Sequence, residues 1–127
     1  SPEKGDPPNR LTASGHLVRS KSEEFIDNAL LNHSLLNHYE KPLYLQGIKK
    51  TVFPDFTILH PGTLKEIYWE HFGRMDDPLY ARHCCRKVTD YMRCGIFPGE
   101  RLICTFETSQ EPLLSRDIEM VIEHYFV

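Results

Sequence analysis

Apolar and polar positions along this chain change their spacing several times, and each change marks an expected element. After Ser20, apolar residues recur at Ile26, Ala29 and Leu30 with His33 on the same side, the spacing of one helical face. Ser20-x-x-Glu23 ahead of that run fits a capping box, so a first helix is expected over about 21–37. Two stretches, 43–46 and 51–59, then read as strands separated by Gly47, the second rich in β-branched and aromatic residues. Residues 66–72 form the next expected strand. Between it and its predecessor, His60-Pro61-Gly62-Thr63 supplies turn chemistry for an antiparallel hairpin.

Asp77-Pro78 provides an N-cap followed by Pro at the first helical position, and Gly95 stands where a helix would stop. A second helix is therefore expected over about 78–94. Pro98-Gly99 turns the chain into a fourth strand at 101–106, and Ile118, Val121 and Ile122 mark a last helix over 115–125. The expected order is helix, three strands, helix, strand, helix. Residues 1–19, with Pro2, Gly5, Pro7 and Pro8 among charges, lack any sustained period and read as a flexible lead-in or a linker from a preceding domain.

At 127 residues and 40% hydrophobic the chain has the size of one domain, placed at 20–127, with a core that needs no disulfides. A net charge of -3 speaks against a protein that grips nucleic acid by overall charge, so any such role requires a local site. Cys84, Cys85, Cys94 and Cys104 form no C-x-x-C pair and are expected to be reduced, buried thiols. The lack of an apolar run of ~20 residues excludes a helical membrane span, and the compartment is expected to be cytoplasmic.

Candidate chemistry lies at the expected hairpin. A turn centred between Gly62 and Thr63 pairs Phe56 with Trp69, Ile58 with Ile67, and Asp55 with Glu70. Opposed carboxylates at a separation of about 5 Å between Cβ atoms repel unless a cation sits between them, and a divalent ion is the economical answer. The plainer alternative is two unrelated solvent-facing acids, because a register slip of one residue turns a side chain to the other face. Glu23 points partly toward the core of its helix, although capping and the helix dipole already give it a use. On the second helix Tyr80, Cys84, Lys87 and Tyr91 share one narrow face. Lys87 either snorkels to the surface or reaches the carboxylates on the adjoining sheet.

Together these residues resemble the PD-(D/E)xK restriction-endonuclease-like superfamily. The resemblance covers about 20–126: the acidic helix Ser20-Lys21-Ser22-Glu23, Pro54-Asp55 on one strand, and Glu70-His71-Phe72 on the next. It is similar above all to a branch of nuclease-like domains whose third strand reads Trp-Glu-His, an apolar residue and Gly, as Trp69-Glu70-His71-Phe72-Gly73 does. That resemblance implies an α/β restriction-endonuclease-like core, a central mixed four-stranded sheet flanked by helices. It also implies metal-dependent phosphodiester hydrolysis with Mg²⁺ or Mn²⁺, acting on nucleic acid and more specifically DNA. Asp55 and Glu70 would be metal ligands, the backbone carbonyl of His71 would complete the shell, and Glu23 would bind a second ion or position water.

One departure stands out: the motif lysine belongs at position 72, where this chain has Phe72. Either another group took over its role or the domain no longer cuts and serves as a nucleic-acid or protein docking module. Lys87 is the first candidate substitute and Lys21 the second, with Tyr80 and Tyr91 flanking Lys87 as supporting residues. Strand alternation sends the His71 side chain to the face opposite Asp55 and Glu70, which suits an orienting or packing role. The remaining histidines are scattered without ligand spacing, so a zinc site is not expected.

Overall fold

The computed structural model describes residues 6–127. Its elements, in chain order, are β1 (Arg10–Leu11), β2 (Leu17–Val18), α1 (Lys21–Asn32), β3 (Asn37–Tyr39), β4 (Leu43–Leu45), β5 (Lys50–Val52), β6 (Phe56–Leu59), β7 (Glu66–Phe72), α2 (Pro78–Arg93), β8 (Leu102–Phe106) and α3 (Ser115–Phe126). Strands β3, β6, β7 and β8 lie side by side in that order. The first three are antiparallel neighbours, whereas β7 and β8 run parallel. The chain is thus α/β with a central mixed four-stranded sheet and three helices.

Side-chain alternation divides that sheet into two faces. One face carries Phe56, Ile58, Ile67, Trp69 and Ile103, and is covered by Ile26 and Leu30 of α1 and by Ile118 and Ile122 of α3. On the other face Tyr68 and Leu102 pack with Tyr91 of α2 and with Leu45 and Val52 of the β4–β5 hairpin. Both faces are buried, as a sheet sandwiched between layers requires. Among the described residues, no helix is long and apolar enough to cross a membrane.

The expected register of the main hairpin holds: Phe56 pairs with Trp69 and Ile58 with Ile67. The turn between them is tied by His60, whose backbone N–H donates to Lys65 and whose ring nitrogen receives the Gly62 and Thr63 N–H groups. Helix α2 also starts as its residues dictate. The Asp77 carboxylate accepts from the Leu79 and Tyr80 N–H groups, with Pro78 at the first turn. Gly95 follows the helix at φ 80°, a left-handed conformation that suits glycine.

Three expectations need correction. The first helix ends at Asn32, not near residue 37, because Ser34 turns left-handed at φ 56° and the Leu35 N–H returns to the Leu30 carbonyl. That early stop frees Asn37–Tyr39 to become the outer strand of the sheet, a strand the residue pattern does not announce. The stretch 51–59 is two strands, since the chain bends at Pro54-Asp55. Strand β5 then pairs with β4 in a separate two-stranded sheet, outside the main one. The lead-in expected at 1–19 is folded over part of its length. Arg10 and Leu11 pair with Val18 and Leu17, and Val18 is fully buried. Residues 1–5 lie outside the described residues.

Because Asp77 closes the first turn of α2 with two hydrogen bonds, Asp77→Ala is expected to lower stability by about 1 kcal/mol in urea denaturation with an unchanged slope. An unaltered midpoint would contradict the capping role.

Candidate functional site

Asp55 precedes β6 by one residue, so the observed register sets it beside Glu70 at the adjoining position of β7. Both project to the face shared by Tyr68 and Tyr91, and both are buried, Asp55 at 0% and Glu70 at 1% exposure. Strand pairing thus brings two acids from neighbouring strands together out of solvent. The Asp55 carboxylate is fixed by the backbone N–H of His71, which donates to Oδ2 at 2.7 Å.

Helix α2 supplies the partners of Glu70. Lys87 Nζ lies 2.8 Å from Glu70 Oε2, and the Tyr91 hydroxyl donates to the same oxygen at 2.7 Å. One helical turn separates Lys87 from Tyr91, so both side chains reach the sheet together. Of the two outcomes open to Lys87, the structure takes the inward one. The second carboxylate oxygen, Glu70 Oε1, is buried without a hydrogen-bond partner among the described residues. Such orphaned acceptors are uncommon, because leaving one unsatisfied costs about 1–3 kcal/mol.

Burial pushes the Glu70 carboxyl above the ordinary glutamate range; Lys87 pulls it back and Asp55 pushes it further. Two carboxylates buried side by side raise each other's cost of ionisation. The side chains that could hold a hard cation are therefore Asp55 and Glu70. Among the described residues, no group of three or more His, Cys, Asp and Glu is placed to hold a metal by side chains alone.

Glu23 is fully buried, as its position on the helix suggests, but its partners differ from those of an ordinary capping box. Ser20 accepts the Glu23 N–H, while Glu23 Oε1 accepts the Arg19 N–H at 3.0 Å and the Tyr39 hydroxyl at 3.1 Å. Burial, then the charges of Glu23, Glu40 and Asp55, push the Tyr39 hydroxyl well above its usual value. Tyr39 therefore stays a neutral donor in the field of both Glu23 and Asp55. Residue types alone gave no sign of Tyr39 or Arg19, because both contacts depend on the unannounced strand β3 and on the folded N-terminal segment.

Lys21 does not join this group. Lys21 is exposed over the Phe25 ring at 5.5 Å, and the Tyr80 hydroxyl accepts the Gly73 N–H at 3.1 Å. Both line a separate recess of about 260 Å³ together with Ser22, His71 and Glu107. His71 turns to the face opposite Glu70, as alternation predicts. Its ring bonds Thr105 Oγ1 at 2.8 Å and Glu107 Oε1 at 2.6 Å, and Ser22 donates to the same Glu107 oxygen at 2.5 Å. Although burial raises the Glu107 carboxyl, these bonds outweigh it and hold the group below the usual range. Phe72, where the resemblance would place a lysine, is buried and stacks on Phe106 with ring centroids 5.6 Å apart.

The four cysteines are free thiols; Cys84 is buried, but Cys85 is exposed, contrary to expectation. Burial raises the Cys84 thiol to about 11 and the Cys104 thiol to about 12, with Glu70 adding to both. They remain neutral at physiological pH and offer no thiolate beside the carboxylates.

Removing Lys87 strands a buried carboxylate. Lys87→Met is expected to destabilise the fold by about 3 kcal/mol near neutral pH in urea denaturation, and adding Glu70→Gln is expected to recover most of that loss. The loss shrinks as pH falls through the Glu70 titration, since the carboxyl of the variant is then neutral and needs no counter-ion. Additive losses in the double variant would disconnect the two residues. Comparison with known proteins contributes no relative: no protein-family model matches the chain, and no curated protein or solved structure matches it.

Proposed function

We propose that this chain carries a metal-dependent nuclease centre of the PD-(D/E)xK kind, which hydrolyses phosphodiester bonds of nucleic acid, with DNA the substrate the resemblance implies. The observation that carries the proposal is the buried Asp55–Glu70 pair on adjoining strands, with Glu70 Oε1 left unpartnered. The order helix, antiparallel three-strand meander, helix, parallel strand supports a restriction-endonuclease-like core as part of the same proposal.

The donor set suits Mg²⁺ or Mn²⁺. Hard divalent ions of this kind take one or two carboxylates and keep waters and substrate oxygens, so the two acids would suffice without a third side-chain ligand. Asp55 and Glu70 would hold the ion, with the His71 backbone carbonyl beside them. A bound ion would polarise the scissile phosphate and lower the pKa of a coordinated water.

The chain's own residues supply the rest. Tyr91 and Lys87 fix the Glu70 carboxylate on one oxygen and leave the other facing the proposed ion. Lys87 brings an ammonium to the group from α2, where it takes the place of the lysine missing at position 72 and steadies charge on the attacked phosphate. Glu23, held by Tyr39 and the Arg19 backbone, stands ready to position water or a second ion.

A second function class has a specific observation in its favour. Phe72 is packed against Phe106, and Lys87 already compensates Glu70 without a metal, as in a domain that kept the fold as a docking module and lost the chemistry.

Thermal unfolding separates the two. Mg²⁺ or Mn²⁺ is expected to raise the melting temperature of the wild type and leave Asp55→Ala unmoved, because a ligand of the folded form alone must stabilise it. The shift is expected to be larger at pH ~8 than at pH ~5, since Glu70 titrates above the ordinary range and only its ionised form binds a cation. Absence of any metal-induced shift would favour the docking module instead. In plasmid cleavage Lys87→Ala is expected to lose about 10²- to 10³-fold in rate, the cost of removing one preorganised charge from a phosphoryl centre. Full activity in that variant would remove Lys87 from the reaction.

A further inference from the structure

Beside the carboxylate pair, the β4–β5 hairpin and α2 wall a cleft of about 550 Å³. Its lining includes Lys50, Val52 and Phe53 from the hairpin side and His83, Arg86 and Lys87 from the helix. Among the described residues no acidic one lines it, in a chain whose net charge is -3. Arg86 brings an exposed guanidinium to the lining, while Lys50 and Lys87 are paired with Asp90 and Glu70.

Lys87 is the link between cleft and site: it lines the one and bonds Glu70 in the other. A second recess of about 620 Å³ shares Lys50 and Arg86 with the cleft and adds Arg93. Asp90 there is the one acid, and it is already engaged by Lys50 at 2.9 Å and by Arg93 at 3.5 Å. Arg86 is exposed and pairs with no acid among the described residues. Phe53 adds a half-buried aromatic ring between the cations and the Pro54-Asp55 bend.

We propose that this cleft is a binding track for single-stranded nucleic acid, in which Arg86 holds a backbone phosphate and a base stacks on Phe53. The inference deepens the nuclease proposal and rests on it for the direction of the strand, which would lead past Lys87 to Asp55 and Glu70. Cations interleaved with an aromatic ring suit a single strand, whose bases are open to stacking while its phosphates meet the charges. A duplex keeps its bases stacked inside and offers Phe53 nothing. The hairpin that forms one wall belongs to no part of the central sheet, so it is free to serve as a clamp without disturbing the register that pairs Asp55 with Glu70.

The test is fluorescence anisotropy of a labelled oligothymidylate, in EDTA so that no metal participates. The full chain is expected to bind it, with affinity falling steeply as salt rises. Arg86→Ala is expected to flatten the logarithmic salt dependence by about 0.7, one phosphate contact on a single strand. Phe53→Ala is expected to weaken binding roughly 5- to 150-fold with the salt dependence unchanged, the range for one lost base stack. Arg116→Ala, on the exposed side of α3 in the opposite layer, serves as the control that leaves binding intact.

Absence of binding by the wild type, or wild-type affinity in both Arg86→Ala and Phe53→Ala, overturns the track. Equal affinity for a blunt duplex, with no effect of Phe53→Ala, overturns its assignment to a single strand. Because these measurements exclude metal, they separate from the thermal-shift test. Oligonucleotide binding without a metal-induced shift upholds the cleft and removes the nuclease centre. A metal-induced shift without oligonucleotide binding does the reverse.

Discussion

A carboxylate that is 1% exposed needs compensating charge close at hand, and Glu70 sits beside a second buried acid, Asp55. Water screens neither of them, so the surrounding layers must supply what solvent does not. Much of the architecture around the sheet meets that demand. Helix α2 crosses the face with Lys87 and Tyr91 directed at Glu70, and the His71 backbone N–H satisfies Asp55. Without these partners the hairpin β6–β7 would carry two like charges into a low-dielectric interior, where repulsion is strongest. The apolar layers on both faces fix the strands, and the strands fix the acids.

His71 connects the two faces at this point. Its backbone serves Asp55 on one side, while its ring on the other is held by Thr105 and Glu107 of the adjoining chain segment. The Trp69 ring nitrogen donates to the same Thr105 hydroxyl at 3.0 Å. A polar seam therefore runs along the β7–β8 boundary beneath an otherwise apolar core. Fully partnered networks of this kind specify one arrangement of their elements, because each alternative leaves a buried polar atom without a mate.

The residue pattern disclosed the parts of the fold that depend on local chemistry. The Gly62-Thr63 turn, the Asp77-Pro78 cap and the Gly95 stop all act within a few residues of themselves, and the elements they delimit lie where expected. The juxtaposition of Asp55 and Glu70 was legible for the same reason, since a tight turn transmits its register along the strands. Strand β3 was not legible. Three residues carry too little periodicity, and the left-handed turn at Ser34 is taken by a residue that seldom marks one. The 51–59 run concealed a bend because Val52 and Phe53 suit a strand on either side of it, while β5 finds its partner in β4. With β3 hidden, the partners of Glu23 were hidden too, and its inward direction could be seen without its purpose.

Strands β7 and β8 run parallel, and parallel neighbours cannot be joined by a tight turn. The chain must travel back along the full height of the sheet before β8 can begin, and it makes that return as a helix. A backbone forced to retrace this path passes above whatever the upper end of β7 presents. Geometry of connection, independent of any particular side chain on the strand, thus guarantees a second supply line of functional groups to the same spot. In this domain the returning limb is what brings a cation over the strand from above.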